Sequence, residues 1–297
     1  MTRIERILCP VDFSEGSRHA IDHAVALAHW YGAAVIALYV SPPLSLAPYI
    51  DSRVHPLGLG RPKEDLERLR RELEQFVQQE GGGPAATTVV KEGLITGEIL
   101  RYIESVRADL LVMGTHGRSG FERLMLGSVT ESVLRQASCP VLTVPPRAPD
   151  VVPMGPTVYR RVLCGIDYSA CSLKALEYAA SLARSSDAEL IVVNVLEPLL
   201  DYVAADVADV DNMTLRTAAE HQLERVATER SGGHQGVTPQ LVAGQAAPMI
   251  LQLAEERAVD VIVLGVADRS HLNMMWFGST ANRVVRRATC PVLTVRG

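Results

Sequence analysis

The sequence predicts an α/β protein of two repeated, doubly wound domains, each a five-stranded parallel sheet with helices on both faces. Three observations carry that expectation. The first is an internal repeat: Arg6-Ile-Leu-Cys-Pro-Val-Asp-Phe-Ser14 returns 155 residues later as Arg161-Val-Leu-Cys-Gly-Ile-Asp-Tyr-Ser169. Ala108-Asp-Leu-Leu-Val-Met-Gly114 returns as Val259-Asp-Val-Ile-Val-Leu-Gly265, and Cys139-Pro-Val-Leu-Thr-Val144 as Cys290-Pro-Val-Leu-Thr-Val295, now shifted by 151. A few residues were therefore lost inside the second copy, and a repeat this long is a duplicated domain rather than a solenoid unit. The second observation is that short apolar runs alternate with segments of helical periodicity. The third is that the short runs are apolar on both faces, as strands of a covered parallel sheet must be.

Each element of the first copy follows from its own residues. Ile7–Val11, Ala34–Val40, Thr87–Lys91, Leu110–Gly114 and Val141–Val144 have strand length. Ser14–Trp30 reads as a helix with Ser14 as its N-cap and Ala20, Ile21, Ala24, Leu27 and Ala28 on one apolar face. Pro62–Glu80 is a second helix: proline suits the first turn, and Leu66, Leu69, Leu73, Phe76 and Val77 form the stripe. Gly81-Gly-Gly-Pro84 stops it. Thr96–Val106 and Ser128–Ala137 complete four helices between five strands. The second copy reads alike, least distinctly around Asp201–Asn212. Residues 1–146 and 159–297 are thus the two domains, and 147–158 is a Pro-rich linker that can continue neither strand nor helix.

Composition narrows the function classes. The 297 residues are 47% hydrophobic, which excludes a disordered chain. Twenty-nine basic against 34 acidic residues leave a net charge of −5, which argues against nucleic acid and anionic membrane surfaces as partners. No run of 18 apolar residues exists, and the N-terminus lacks the long apolar region of a signal peptide. Five cysteines, an odd number without a Cys-x-x-Cys pair, fit a reducing compartment, and the expected location is cytoplasmic. Cys9, Cys139, Cys164 and Cys290 are expected to be small buried residues, leaving Cys171, near a helix start, as the thiol to test for reactivity.

In a parallel doubly wound sheet of order 3-2-1-4-5, ligands sit beyond the carboxyl ends of the first and fourth strands. Both ends carry polar loops. Gly114-Thr-His-Gly117-Arg-Ser-Gly-Phe-Glu-Arg-Leu-Met-Leu-Gly127-Ser128 has the spacing Gly-x2-Gly-x9-Gly-Ser. Gly114 and Gly117 remove side chains where the backbone is expected to turn and approach a ligand. Gly127-Ser128 opens a helix, so its unpaired amides and positive dipole end face an anion, and Ser128 either caps the helix or bonds a phosphate oxygen. The loop is neither a Walker A sequence nor a dinucleotide fingerprint. Asp12, on the opposite lip, is either an acceptor for ribose hydroxyls or a helix cap.

Pro10-Val11-Asp12, the Gly-x2-Gly-x9-Gly-Ser loop and the closing Cys-Pro-Val-Leu-Thr-Val strand together resemble the universal stress protein family, as a tandem spanning essentially the whole chain. The nucleotide-binding branch of that family holds ATP, and the resemblance implies ATP here, with or without Mg2+. It places Pro10, Val11 and Asp12 at the adenosine end, with Val40 lining the adenine pocket. It places Met113, Gly114, His116, Gly117 and Arg118 in the loop, and Gly127, Ser128, Val129 and Thr130 on the phosphates. It also implies that the final strands pair across a twofold axis, here within one chain as a pseudo-dimer, with a homodimer through other surfaces a further option.

The second copy departs from the pattern: Gly265-Val-Ala-Asp268 puts a carboxylate at the second glycine position, against any polyphosphate. Asp167 and Ser279 are then expected to persist as structural caps. The functional expectation is an ATP-binding, cytoplasmic, stress-response regulatory protein with its nucleotide mainly in the N-terminal domain. Alternatives are an interaction module with relic sites, or a slow ATPase using His116 or Arg118; no nucleophile–base pair marks a fast enzyme. His19 and His23, at i and i+4 on one helix, lack a His-Glu-x-x-His arrangement, so a metal site is not expected. Ser41–Arg61 reads as either a lid or a variable surface loop, and Leu272, Met274, Met275, Trp276 and Phe277 as either core packing or a partner surface.

Overall fold

A computed structural model describes residues 4–43, 63–78, 86–117, 126–149, 151, 159–197, 208–267 and 278–297. The chain divides into two compact units, Arg3–Val158 and Tyr159–Gly297. In the first unit the elements run β1 (Arg6–Val11), α1 (Glu15–Tyr31), β2 (Ala34–Ser41), α2 (Lys63–Gln78), β3 (Thr87–Glu92), α3 (Ile95–Val106), β4 (Leu110–Gly114), α4 (Ser128–Gln136) and β5 (Val141–Val144). The strands pair parallel in the order β3-β2-β1-β4-β5. Helices α1 and α2 pack together, and α3 packs with α4.

The second unit repeats the plan: β6 (Arg161–Ile166), α5 (Ala170–Ser186), β7 (Glu189–Leu196), α6 (Ala208–Arg230), β8 (Val237–Ala243), α7 (Ala246–Glu256), β9 (Val261–Val266), α8 (Ser279–Arg287) and β10 (Val292–Arg296). Its parallel order is β8-β7-β6-β9-β10. The predicted fold class is therefore the observed one. Parts of Ser41–Arg61, of the linker and of Asp201–Asn212, together with Arg118, Asp268 and Leu272–Phe277, lie outside the described residues.

Local chemistry explains the ends of the elements. Ser14 caps α1 by accepting from the Ser17 amide, and Ser169 caps α5 by accepting from that of Ser172. Gly32 closes α1 in the left-handed conformation at φ 65°. Asp109 and Asp260, the acids of the Asp-containing repeat, tie each first strand to its fourth. The Asp109 carboxylate accepts from the Glu5 and Arg6 amides, both at 2.9 Å, and that of Asp260 from Arg160 and Arg161 at 2.7 and 2.8 Å. A strand start left with unsatisfied amides would otherwise depend on water.

Apolar burial supplies the cores. Ile7, Leu8, Leu38 and Leu111 in the first unit, and Leu163, Leu190, Val261 and Ile262 in the second, are fully buried. Cys9, Cys139, Cys164 and Cys290 are buried as expected, while Cys171 is half-buried. Burial pushes the Cys139 and Cys290 thiols up to about 12 and drives Cys9 and Cys164 upward as well. No described helix is long and apolar enough to cross a membrane. Among the described residues, no three His, Cys, Asp or Glu side chains come together as a metal site.

His23 is buried in α1 at 2% exposure. Burial first, and repulsion by His19 second, pull its pKa from 6.5 down to about 4, against an opposing hydrogen bond with the Pro149 backbone. The unfolded chain therefore binds the extra proton first as pH falls. Stability on this account is intact above the unfolded value of 6.5 and is lost as pH drops toward about 4. Urea unfolding is expected to lose about 2 kcal/mol between pH 7 and pH 5 through this group. A folded His23→Gln variant that keeps the full wild-type pH slope would contradict it.

Candidate functional site

In the first unit a cavity of about 370 Å3 opens beyond the carboxyl ends of β1 and β4, where the strand order reverses. Pro10, Val11, Asp12, Val40, Met113, Gly114, His116, Gly117, Gly127, Ser128, Val129 and Thr130 all line it. Every described member of the predicted set is therefore brought to one place, from β1, β2, β4 and the first turn of α4. Arg118 lies outside the described residues.

The lip carrying Asp12 is built by a strained turn. Phe13 follows Asp12 in the left-handed region at φ 63°, a conformation that costs a bulky residue energy and persists only where surrounding contacts hold it. Its ring packs against Tyr39 at 4.8 Å and edge-on against Phe76 at 5.5 Å between centroids. The Arg18 guanidinium covers Phe76 at 4.1 Å from the centroid. Tyr168 repeats the turn at φ 64° in the second unit. With the backbone reversed, Asp12 Oδ1 accepts from the Ser14 amide at 3.0 Å and the Ser14 hydroxyl at 2.5 Å. Asp12 therefore orients the capping serine and is not itself the cap.

The opposite lip corrects two expectations about the loop. Neither Gly114 nor Gly117 adopts a positive φ, so neither is required for a sharp turn. A β-carbon at Gly114 would lie 2.8 Å from the Gly16 carbonyl oxygen, so that glycine serves the close approach of α1 to β4. A β-carbon at Gly117 would lie 2.6 Å from Asp12 Oδ2, so that glycine keeps the two lips compatible. Ser128 is the first helical residue of α4; Gly127 occupies the cap position and no side chain caps it. The Ser128 cap reading is overturned because the backbone enters the helix one residue earlier.

Thr130 and Thr115 fasten this lip. The Thr130 hydroxyl donates to the Gly114 carbonyl at 2.9 Å, and the Gly127 amide donates to that of Thr115 at 2.8 Å. Thr115 Oγ1 lies 2.9 Å from His116 Nδ1, which fixes the ring. His116 Nε2 is buried and finds no hydrogen-bond partner among the described residues. An uncapped helix start and an unmatched ring nitrogen on one rim can both receive an anion.

Sequence reasoning missed Ser17, Leu38, Tyr39, Pro42, Ile95 and Ile99, which also line the cavity. Leu38 and Pro42 stand two residues either side of Val40, so strand periodicity could have found them. Ile95 and Ile99 are one helical turn apart at the start of α3, and Ile95 is 37% exposed, an apolar residue held at the rim.

In the second unit Asp167 is likewise no helix cap. Its Oδ1 accepts from the Ser169 amide at 3.0 Å and the Ser169 hydroxyl at 2.5 Å, and Ser169 is the cap. Burial opposes ionisation of Asp167, but hydrogen bonds from Ser169 and Ser172 outweigh it and hold the carboxyl below its ordinary value. Ser279 is the first residue of α8, and the cap position belongs to Gly278.

The profile of the universal stress protein family matches residues 3–145 and again 158–296. A universal stress protein of Synechocystis is 24% identical over 310 residues, covering 99% of this chain and 100% of its own. One of Methanocaldococcus jannaschii is 33% identical over 147 residues, covering 47% of this chain and 81% of its own. The crystal structure of a universal stress protein from Archaeoglobus fulgidus superposes with a TM-score of 0.68 at 25% identity, covering 98% of both chains. Two matched segments, each contributing five parallel strands in the same order, make the chain a tandem two-domain member of the universal stress protein family.

Proposed function

We propose that the N-terminal unit binds one adenine nucleotide, ATP, and that the chain acts as a cytoplasmic regulatory protein of the stress response. One observation carries the reading: residues from four separate elements, singled out by the loop spacing and the family resemblance, line a single cavity at the reversal of strand order. Its apolar part, with Val40, Ile99 and Met113, suits a planar base, and Asp12 suits ribose hydroxyls. The uncapped start of α4 and His116 suit phosphate oxygens.

Isothermal titration of the full chain is expected to find one strong ATP site. Mass spectrometry of small molecules released from the purified protein is expected to find adenine nucleotide. Two ATP sites of equal affinity would contradict the assignment to the N-terminal unit, and no ATP binding would remove it. We also propose that Val141–Val144 and Val292–Val295 pair within one chain, as the family resemblance implies. Slow amide exchange across both segments in a demonstrated monomer supports this; fast exchange there shows two merely tethered domains.

A further inference from the structure

The second unit has a cavity of its own, about 330 Å3, at the same topological position beyond β6 and β9. Its apolar wall, with Ile166, Val195, Ile250 and Leu264, substitutes apolar for apolar relative to the first unit. Its polar rim does not follow. Where the first cavity has Pro42 at the end of the second strand, this one has Glu197. Glu197 Oε1 accepts from the amide of Ala246, the first residue of α7, at 3.1 Å, which holds the carboxylate at the rim. Asp167, ionised and fixed by its serines, stands on the adjoining strand end. The described residues lining this cavity include no Lys, Arg or His, whereas the first cavity has His116.

Two carboxylates over an apolar cavity whose described lining carries no cation oppose the phosphate that the uncapped start of α8 would otherwise receive, and favour ligands that present N–H and O–H donors. We propose that the C-terminal cavity is a separate binding site for a phosphate-free nucleoside, with Glu197 accepting from the base and Asp167 from the sugar hydroxyls. This rests on reading the N-terminal cavity as a nucleotide site, because the two differ in charge more than in apolar shape. The tandem would then sense two chemically distinct ligands, one anionic and one neutral.

The test is a methyl-resolved NMR titration of the full chain with adenosine and, separately, with ATP. Adenosine is expected to shift the Ile250 and Val195 methyls saturably, while ATP shifts Val40 and Ile99 and leaves Ile250 and Val195 in place. Glu197→Gln, whose amide oxygen can still accept from Ala246, is expected to weaken adenosine at Ile250 about tenfold without moving the melting curve. Silence of Ile250 and Val195 toward adenosine, an equal response there to ATP, or unchanged adenosine affinity in folded Glu197→Gln each overturns the inference. Failure of ATP to move Val40 and Ile99 overturns instead the nucleotide reading of the first unit.

Discussion

Gly117→Asp is expected to abolish ATP binding while leaving the chain folded. A β-carbon at this position already falls 2.6 Å from Asp12 Oδ2, so any side chain there must push the Asp12 carboxylate aside. That carboxylate is not loose, because its other oxygen is held by the amide and hydroxyl of Ser14. An aspartate adds like charge at about 4 Å, which at an effective dielectric near 20 opposes a bound polyphosphate by roughly 3–4 kcal/mol. The expected loss in titration exceeds about a hundredfold. Gly117→Ala isolates the steric part and is expected to lose less. An aspartate variant with native circular dichroism and wild-type affinity would remove both the site and the explanation for Asp268 in the second copy.

Gly265→Ala is expected to be the most damaging small substitution for stability. Its β-carbon would collide with the carbonyl carbon of Cys171 and lie 2.5 Å from the amide nitrogen of Ser172. Those are backbone atoms in the first turn of α5, so relief requires the helix to move off β9. Overpacking of this kind costs about 1–3 kcal/mol. Urea unfolding followed by probes in the C-terminal unit is expected to shift accordingly, with the N-terminal unit little changed. Gly97→Ala is the control: its β-carbon meets nothing nearer than 3.7 Å, and in the first turn of α3 the replacement gains at most about 0.5–1 kcal/mol. If the two variants unfold alike, the close helix–strand contact is not what Gly265 serves.

The duplicated plan was legible because each strand is short, apolar on both faces and bounded by its own punctuation. Leu110–Gly114 and Val141–Val144 match their predicted limits, and Ser14 is the cap that its position suggested. The site was legible as a set, since loop spacing and strand ends both point to the reversal of strand order. Individual roles were less so. The Asp109 carboxylate serves amides more than 100 residues earlier in the chain, a partnership no local pattern encodes. Gly114 looks like a ligand-facing glycine, yet its constraint comes from Gly16 across the sheet–helix interface. Ile95 and Ile99 read as ordinary helix-face residues; only the strand order brings the start of α3 to the cavity.

The uneven accessibility of the thiols makes the native chain a ready substrate for single-site labelling. Four sulfurs are sealed in the two cores and held as unreactive thiols, while Cys171 sits half-buried in the opening turn of α5. A maleimide dye added to the unmodified protein should therefore attach at one place, without any cysteine being engineered in or out. Cys171 backs directly onto Gly265 and precedes Ser172, and both of those residues line the C-terminal cavity. A fluorophore there would report on that cavity in the wild-type chain, at concentrations far below those needed for calorimetry.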